Sequence, residues 1–362
     1  MKRLDFLDAA RGLAVIYVVI FHAIFVPYPN LAYPAWMDSF IRFGGSGVLL
    51  FFVISGFSLC LTMPKHLNST APMLSYAVAR LFRIAPLFYV LLVLTLFRDY
   101  YFRGIDRSLS EVIASIFFVF NFNPEWSKGI VWASWTIGVE MPFYALFPVL
   151  YFWANSTTKK IVLALAFAIA TYFFKINVVN SLPQELQGNY SSMNFIKNMP
   201  VFIIGMIAFD YFQKSHSENK QTGYIIIVLS LLLLALLATN PAFGYPYVDG
   251  KQLQGVAYAS LLIGMSISPV KLLVNRVTTY YSKICYSAYL WHPFLIFMLT
   301  PVYKLVVASM GQNLALVTNV AITLAVVTVV SQLSFKYIEI PGQKIGKRFL
   351  PRMASQRAVT TA

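Results

Sequence analysis

The chain has 362 residues, of which 59% are hydrophobic and 11% charged, and a mean hydropathy of +0.68. A soluble globular domain carries roughly 25% charged residues, so this composition excludes an ordinary soluble enzyme, and the lack of a long polar segment leaves no separate soluble domain. The net charge of +15 would suit nucleic acid in a soluble protein. In a chain this apolar it reads as basic residues held at the cytoplasmic face, with attraction for anionic lipid or an anionic ligand, and no nucleic-acid partner is expected.

Apolar stretches recur from end to end, at about 10–29, 41–62, 73–97, 109–123, 136–154, 160–176, 194–212, 222–239, 252–268, 284–308 and 313–335. Stretches such as "IIIVLSLLLLALLA" are apolar on every side, unlike the alternating strands of a membrane barrel. The bilayer is therefore the solvent, and the fold class expected is all-α, a polytopic transmembrane helical bundle. The first stretch follows Met1-Lys-Arg-Leu-Asp and ends in "YPNLAYP" without a small-residue cleavage site. It reads as a first transmembrane helix with a cytoplasmic N-terminus, not as a signal peptide.

Stretch 109–123 is short for a span, which needs about 20 residues. If it stays at the outer face, about ten segments span and both termini are cytoplasmic. Nineteen of the 28 Lys and Arg then lie inside, as the positive-inside rule favours. If it spans, every later loop flips. The stretch 98–135 then reads as a structured external cap, and 177–193 and 240–251 as external loops. Residues 1–340 form one membrane-embedded unit, and 341–362 a basic, loosely ordered cytoplasmic tail. No internal repeat suggests a transporter's inverted halves. Cys60 and Cys285 offer neither metal spacing nor a disulfide framework, so no metal site is expected.

Within these spans a few polar groups stand out. In "YVVIFHAIF", residues 17–25, His22 is the one ionisable group other than tyrosine between Leu13 and Pro29. Such a group is either a functional site or a neutral histidine bridging helices. His292, in "YSAYLWHPF", is followed directly by Pro293 and reads as structural. His66 and His216 read as solvated loop residues. Arg11 lies eleven residues before His22 and marks the inner mouth, where Asp8 and Arg11 can pair on one helix face. Arg80 and Arg83, in "YAVARLFRIAPLFY", put two guanidinium forks on one face; they suit phosphate oxygens or anchor the helix at the interface. In "VWASWTIGVEMPFYALFP", Thr136 and Glu140 share a helix face. "GVLLFFVISGF" has Ser55-Gly56 in an apolar helix and suggests close helix packing.

Taken in order, the arginine ahead of the first-helix histidine, the R-x-x-R pair, "FFVISGF", W-T-x-x-x-E and "YSAYLWH" resemble the acyltransferase-3 family over about residues 3–340. One departure is that Thr136 stands where the family usually has serine. The resemblance implies a membrane O-acyltransferase of the bacterial inner membrane, with acetyl-CoA or another acyl-CoA as donor and no permanently bound cofactor. The acceptor it implies is a hydroxyl of an extracytoplasmic glycan or lipid-linked saccharide. It also implies that Arg80 and Arg83, with Arg11, meet the donor phosphates, that His22 acts as base, and that Thr136 and Glu140 serve the outer vestibule. No appended extracytoplasmic domain is expected. Direct transfer and an acyl-histidine route both remain open. The rival class is a glycan or lipid-precursor transporter with a His22/Glu140 proton relay.

Overall fold

Long apolar runs become long helices because a backbone in hydrocarbon must satisfy its own hydrogen bonds. The structure, a computed structural model, describes residues 4–215, 219–243 and 249–350. In chain order its α-helices are α1 (Asp5–Phe25), α2 (Asp38–Arg42), α3 (Gly47–Leu67), α4 (Pro72–Arg103), α5 (Leu109–Ile116), α6 (Trp135–Trp153) and α7 (Thr157–Asn177). They continue with α8 (Gln184–Met193), α9 (Phe195–Lys214), α10 (Lys220–Thr239), α11 (Gly250–Ile267), α12 (Arg276–Met310), α13 (Gln312–Ser334) and α14 (Ile340–Arg348). No strand occurs among the described residues.

Eight helical stretches among the described residues are long and apolar enough to cross a membrane. α6 and α11, of 19 and 18 residues, pack in the same bundle. They fall below that apolarity: Glu140, Trp, Tyr and Pro residues lower it in α6, and Lys251, Gln252 and Gln254 lower it in α11. Stretch 109–123 does not make a spanning helix. It holds the eight-residue α5, about 12 Å long at 1.5 Å per residue, and then Phe118 turns into the left-handed region at φ 59°.

The region after α4 is ordered by charge. The carboxylate of Asp99 is fully buried and accepts from Arg98 at 2.6 Å and from Arg107 at 2.9 Å. Arg107 also reaches Glu111 at 3.2 Å, while Ser108 caps the N-terminus of α5.

Glycines set the closest helix contacts. A Cβ on Gly56 would lie 2.0 Å from the carbonyl oxygen of Phe202, and one on Gly205 would lie 2.1 Å from that of Val53. The backbones of α3 and α9 touch there, and the helices run in the same direction, since Phe52 stacks on Phe202 and Phe57 meets Phe209 further along both. α1 and α12 also run side by side in one direction. Gly12 meets the Thr278 carbonyl near one end, and His22 meets His292 toward the other.

Two sequence expectations are corrected here. The start of the supposed tail is helix α14, continuous with a π-helical turn at Phe335–Glu339. Gly342 packs on Pro86 and Gly346 on Phe82, and Phe349 stacks on Phe82, because small residues let this basic helix lie flat on α4. Residues 351–362 of that tail, and His216, lie outside the described residues. His66 is not a solvated loop residue. It is buried in the last turn of α3, bonded to the Ser75 hydroxyl at 2.9 Å and edge-on to Tyr76.

The close contact at Gly56 predicts a large difference between two glycines. Gly56→Ala should lower thermal stability in detergent by about 1–3 kcal/mol or more, because neither backbone can yield. Gly188→Ala, on α8 with no heavy atom within 4 Å of an added Cβ, should be neutral or stabilising by about 0.5–1 kcal/mol. Equal melting temperatures for the two variants would contradict the packing.

Candidate active site

Five helices bring polar side chains to one cavity within the bundle. α4 supplies Arg80 and Arg83, α1 supplies Arg11, α3 supplies Ser55 and Ser58, and α6 supplies Thr136, Glu140 and Tyr144; Tyr286 and Tyr289 of α12 close the wall. The sequence reading separates an inner arginine mouth from an outer Thr136/Glu140 vestibule. The structure brings both sets to this one cavity.

The three arginines are held differently. Arg11 donates to Asp8 at 3.1 Å and to the Ser58 hydroxyl at 2.5 Å, and Ser282 of α12 also donates to Asp8, at 3.1 Å. Arg11 is thereby tied into the contacts of α1 with α3 and α12. Arg80 lies over the ring of Tyr144 at 5.9 Å, and its Nε is buried without a hydrogen-bond partner. Among the described residues no carboxylate lies within 4.0 Å of Arg80 or Arg83. These two guanidinium groups keep their donors for something else.

Glu140 is held by hydroxyls. Ser55 and Tyr144 both donate to its Oε1. Tyr144 sits one turn further along α6, so carboxylate and phenol share a face. Ser55 reaches Glu140 because its neighbour Gly56 is packed on α9, and successive residues on a helix point about 100° apart. Within the FFVISGF run Ser55 thus faces the cavity carboxylate and the next residue, Gly56, packs. Thr136 donates to the Tyr289 hydroxyl at 3.1 Å, and Tyr289 donates to the Ala133 carbonyl at 3.2 Å. Ala133 has φ 65°, a strained left-handed conformation for a residue with a Cβ. That turn aims its carbonyl at α12.

His22 does not line the cavity. It lies against His292, with ring centroids 4.8 Å apart, and His292 in turn touches Tyr289 at 5.7 Å. Tyr289 and His292 therefore stand between the arginine cavity and His22. Each histidine places Nδ1 on its own i−4 carbonyl: Val18 at 2.8 Å for His22, and Ala288 at 3.2 Å for His292. A carbonyl only accepts, so Nδ1 carries the proton in both rings and Nε2 keeps its lone pair.

Ser55, Ser58, Tyr144 and Tyr289 line the cavity and His292 joins Tyr289 to His22, and the sequence reading assigned none of them to the site. The spacing of Tyr144 from Glu140 and the YSAYLWH run were the available signals for two of the helices involved. Glu339 is a further buried carboxylate outside that reading, held by the Ser287 hydroxyl at the π-helical turn.

A model of an acyltransferase domain, that of the acyltransferase-3 family, matches residues 4–335. The chain belongs to that family. It is 23% identical to the peptidoglycan O-acetyltransferase OatA of Listeria monocytogenes, over 95% of this chain and 56% of that one. It is 25% identical to the O-acetyltransferase OatA of Staphylococcus aureus (strain MRSA252), over 98% of this chain and 60% of that one. The chain thus spans less than two thirds of the length of these curated relatives. No solved structure matches it significantly.

The Thr136–Tyr289 bond predicts coupling across α6 and α12. Thr136→Val and Tyr289→Phe should each lower stability by about 0.5–1.5 kcal/mol, the usual net worth of a hydrogen bond. The double variant should lose clearly less than their sum, because both remove one shared contact. Thermal unfolding of the three variants in one detergent checks this, and strict additivity would mean that the contact carries no energy.

Proposed function

We propose that this chain is an O-acetyltransferase of the bacterial inner membrane, moving an acetyl group from cytoplasmic acetyl-CoA to a hydroxyl of an extracytoplasmic glycan or lipid-linked saccharide. The observation that carries this reading is a pair of guanidinium groups, Arg80 and Arg83, lining one cavity with no carboxylate at ion-pair distance among the described residues. Guanidinium forks match phosphate oxygens, and coenzyme A is rich in phosphate. Arg11, fixed by Asp8 and Ser58, adds charge at the entry. The Listeria relative is by name a peptidoglycan O-acetyltransferase, and that supports a glycan acceptor here.

On this reading about ten helices cross the bilayer, α6 and α11 included, and both termini lie in the cytoplasm. The acceptor approaches from the outer side, at His22. Its oxygen attacks the thioester carbonyl, and His22 Nε2 takes the hydroxyl proton. The new C–O bond forms as the C–S bond breaks, and the imidazolium proton neutralises the departing thiolate. Nδ1 bonded to Val18 keeps the ring in the tautomer that a general base needs. Glu140, held by Ser55 and Tyr144, orients groups at the cavity wall beside Thr136.

Radiolabelled acetyl-CoA added to purified protein in liposomes, with no ion gradient, tests the activity. The wild type should transfer or hydrolyse the acetyl group; a transporter would leave it intact. His22→Ala should insert normally and lose at least about 10²-fold in turnover. Near-normal turnover in that variant would remove His22 from the base role.

Donor binding is measured separately by calorimetry. Arg83→Lys keeps the charge but loses the fork, so acetyl-CoA affinity should fall by about 1.5–3 kcal/mol. Unchanged affinity would remove Arg83 from the donor site.

Sidedness has its own check. The native cysteines Cys60 and Cys285 are buried, so introduced thiols report alone. Asp106→Cys should react with an impermeant thiol reagent added outside intact cells, and Asn155→Cys, in the loop between α6 and α7, should not. The reverse pattern would invert the bundle.

A further inference from the structure

The two histidines hold a feature that a single general base does not explain. Both rings have Nδ1 committed to a backbone carbonyl, so both present Nε2 as an acceptor. His292 is fully buried, and its Nε2 has no hydrogen-bond partner among the described residues. The aromatic rings that touch the pair supply no donor. Phe21 stands edge-on to His22 at 4.8 Å, Tyr289 faces His292 with its hydroxyl spent on Ala133, and Ala23, Ile24 and Ile296 lie just beyond. Buried acceptors are almost always satisfied. His22 is half-buried and His292 fully buried, so His22 is the more accessible of the two. Centroids 4.8 Å apart, with the rings tilted by 57°, put two such acceptors within the span of one small ligand.

We propose that His22 and His292 together form a two-point site for neighbouring hydroxyls, so that the acceptor is a saccharide with two adjacent free hydroxyl groups. This rests on the function proposed above and narrows its substrate class. The hydroxyl at His22 Nε2 is the one acylated: its oxygen gains the acyl carbon, its proton passes to His22, and the C–S bond breaks. The hydroxyl at His292 Nε2 keeps its proton and donates a hydrogen bond throughout. His292 is therefore an acceptor-binding residue. A saccharide lacking the second hydroxyl leaves the buried Nε2 unsatisfied, and a site built to bond a hydroxyl rejects an analogue without it.

Histidine-selective ¹⁵N labelling of the whole chain in lipid nanodiscs tests the site without relying on catalysis. The four histidines are assigned with single-histidine variants. The probes are a methyl glycoside with adjacent free hydroxyls and the same glycoside deoxygenated at one of them. Both Nε2 resonances should be those of an unprotonated nitrogen and both should move with the diol. The deoxy compound should move His22 alone and bind roughly tenfold or more weakly. A protonated His292 Nε2 in the free protein, or a His292 that ignores the diol, would overturn the proposal.

Acetyl transfer gives a second reading. His292→Gln and His292→Phe should raise the acceptor KM about tenfold or more and leave the acetyl-CoA KM unchanged. A parallel loss in both constants would make His292 structural. Should the wild type respond to the diol yet transfer no acetyl group, the enzyme assignment fails while the two-point site stands.

Discussion

Two guanidinium groups inside an apolar bundle, with no carboxylate at ion-pair distance among the described residues, constrain everything around them. A charge in such a place is costly unless it is paired, hydrogen-bonded or in contact with a wet cavity. Arg11 meets the constraint through Asp8 and Ser58. Arg80 and Arg83 do not meet it that way, so their surroundings have to be open and polar. The hydroxyls of Ser55, Ser58, Thr136, Tyr144 and Tyr289 supply that polarity on walls otherwise made of Val48, Phe51, Phe52 and Ile84. Glu140 completes the arrangement by being restrained. Its Oε1 is taken by Ser55 and Tyr144, which fixes the carboxylate without drawing it onto an arginine. The cavity keeps two guanidinium groups beside one clamped carboxylate, and that balance suits the phosphate-bearing donor proposed above.

The same constraint explains why packing and chemistry alternate along the helices. Neighbouring residues on a helix diverge by about 100°, so one can press against another backbone while the next faces the cavity. Gly56 and Ser55 do this on α3, as Gly12 and Arg11 do on α1. The glycine contacts let the backbones approach closely, and the polar side chain one position away is thereby positioned to within the tolerance of a hydrogen bond. Replacing such a glycine moves the polar group beside it.

Several features were legible in the sequence for one physical reason, namely that polar groups are conspicuous against an apolar background. His22, Glu140 and the R-x-x-R pair were found that way, as was the shortness of 109–123. Hydroxyls were not conspicuous. Ser55, Tyr144 and Tyr289 are ordinary in membrane helices, and only the fold shows whose oxygen they face. His66 misled because a histidine beside Lys65 resembles a loop residue, while its helix continues to Leu67 and folds it onto Ser75. The tail misled because its glycines and basic residues resemble a flexible segment. In the structure the same glycines are flat seats on Pro86 and Phe82.

Axial position accounts for the one large rearrangement between sequence and structure, the merging of mouth and vestibule. Taking 1.5 Å per residue and level helix ends, Arg83 stands about 16 Å from the start of α4. Glu140 stands about 20 Å from the end of α6, and Tyr289 about 20 Å along α12. The difference is smaller than the length of an arginine side chain, so groups assigned to opposite faces meet in one cavity. His292 and His22 fall further on, at about 24 and 26 Å along α12 and α1 by the same count. The polar groups thus form a graded column, from cations through a clamped carboxylate and hydroxyls to two imidazoles with free lone pairs. Tyr289 is the step between the last two levels, since its hydroxyl belongs to the cavity wall and its ring rests on His292. On the proposed reading, with the donor at the arginines and the acceptor at the imidazoles, the acyl carbon would arrive beside that ring, and Tyr289 would stand where donor and acceptor meet.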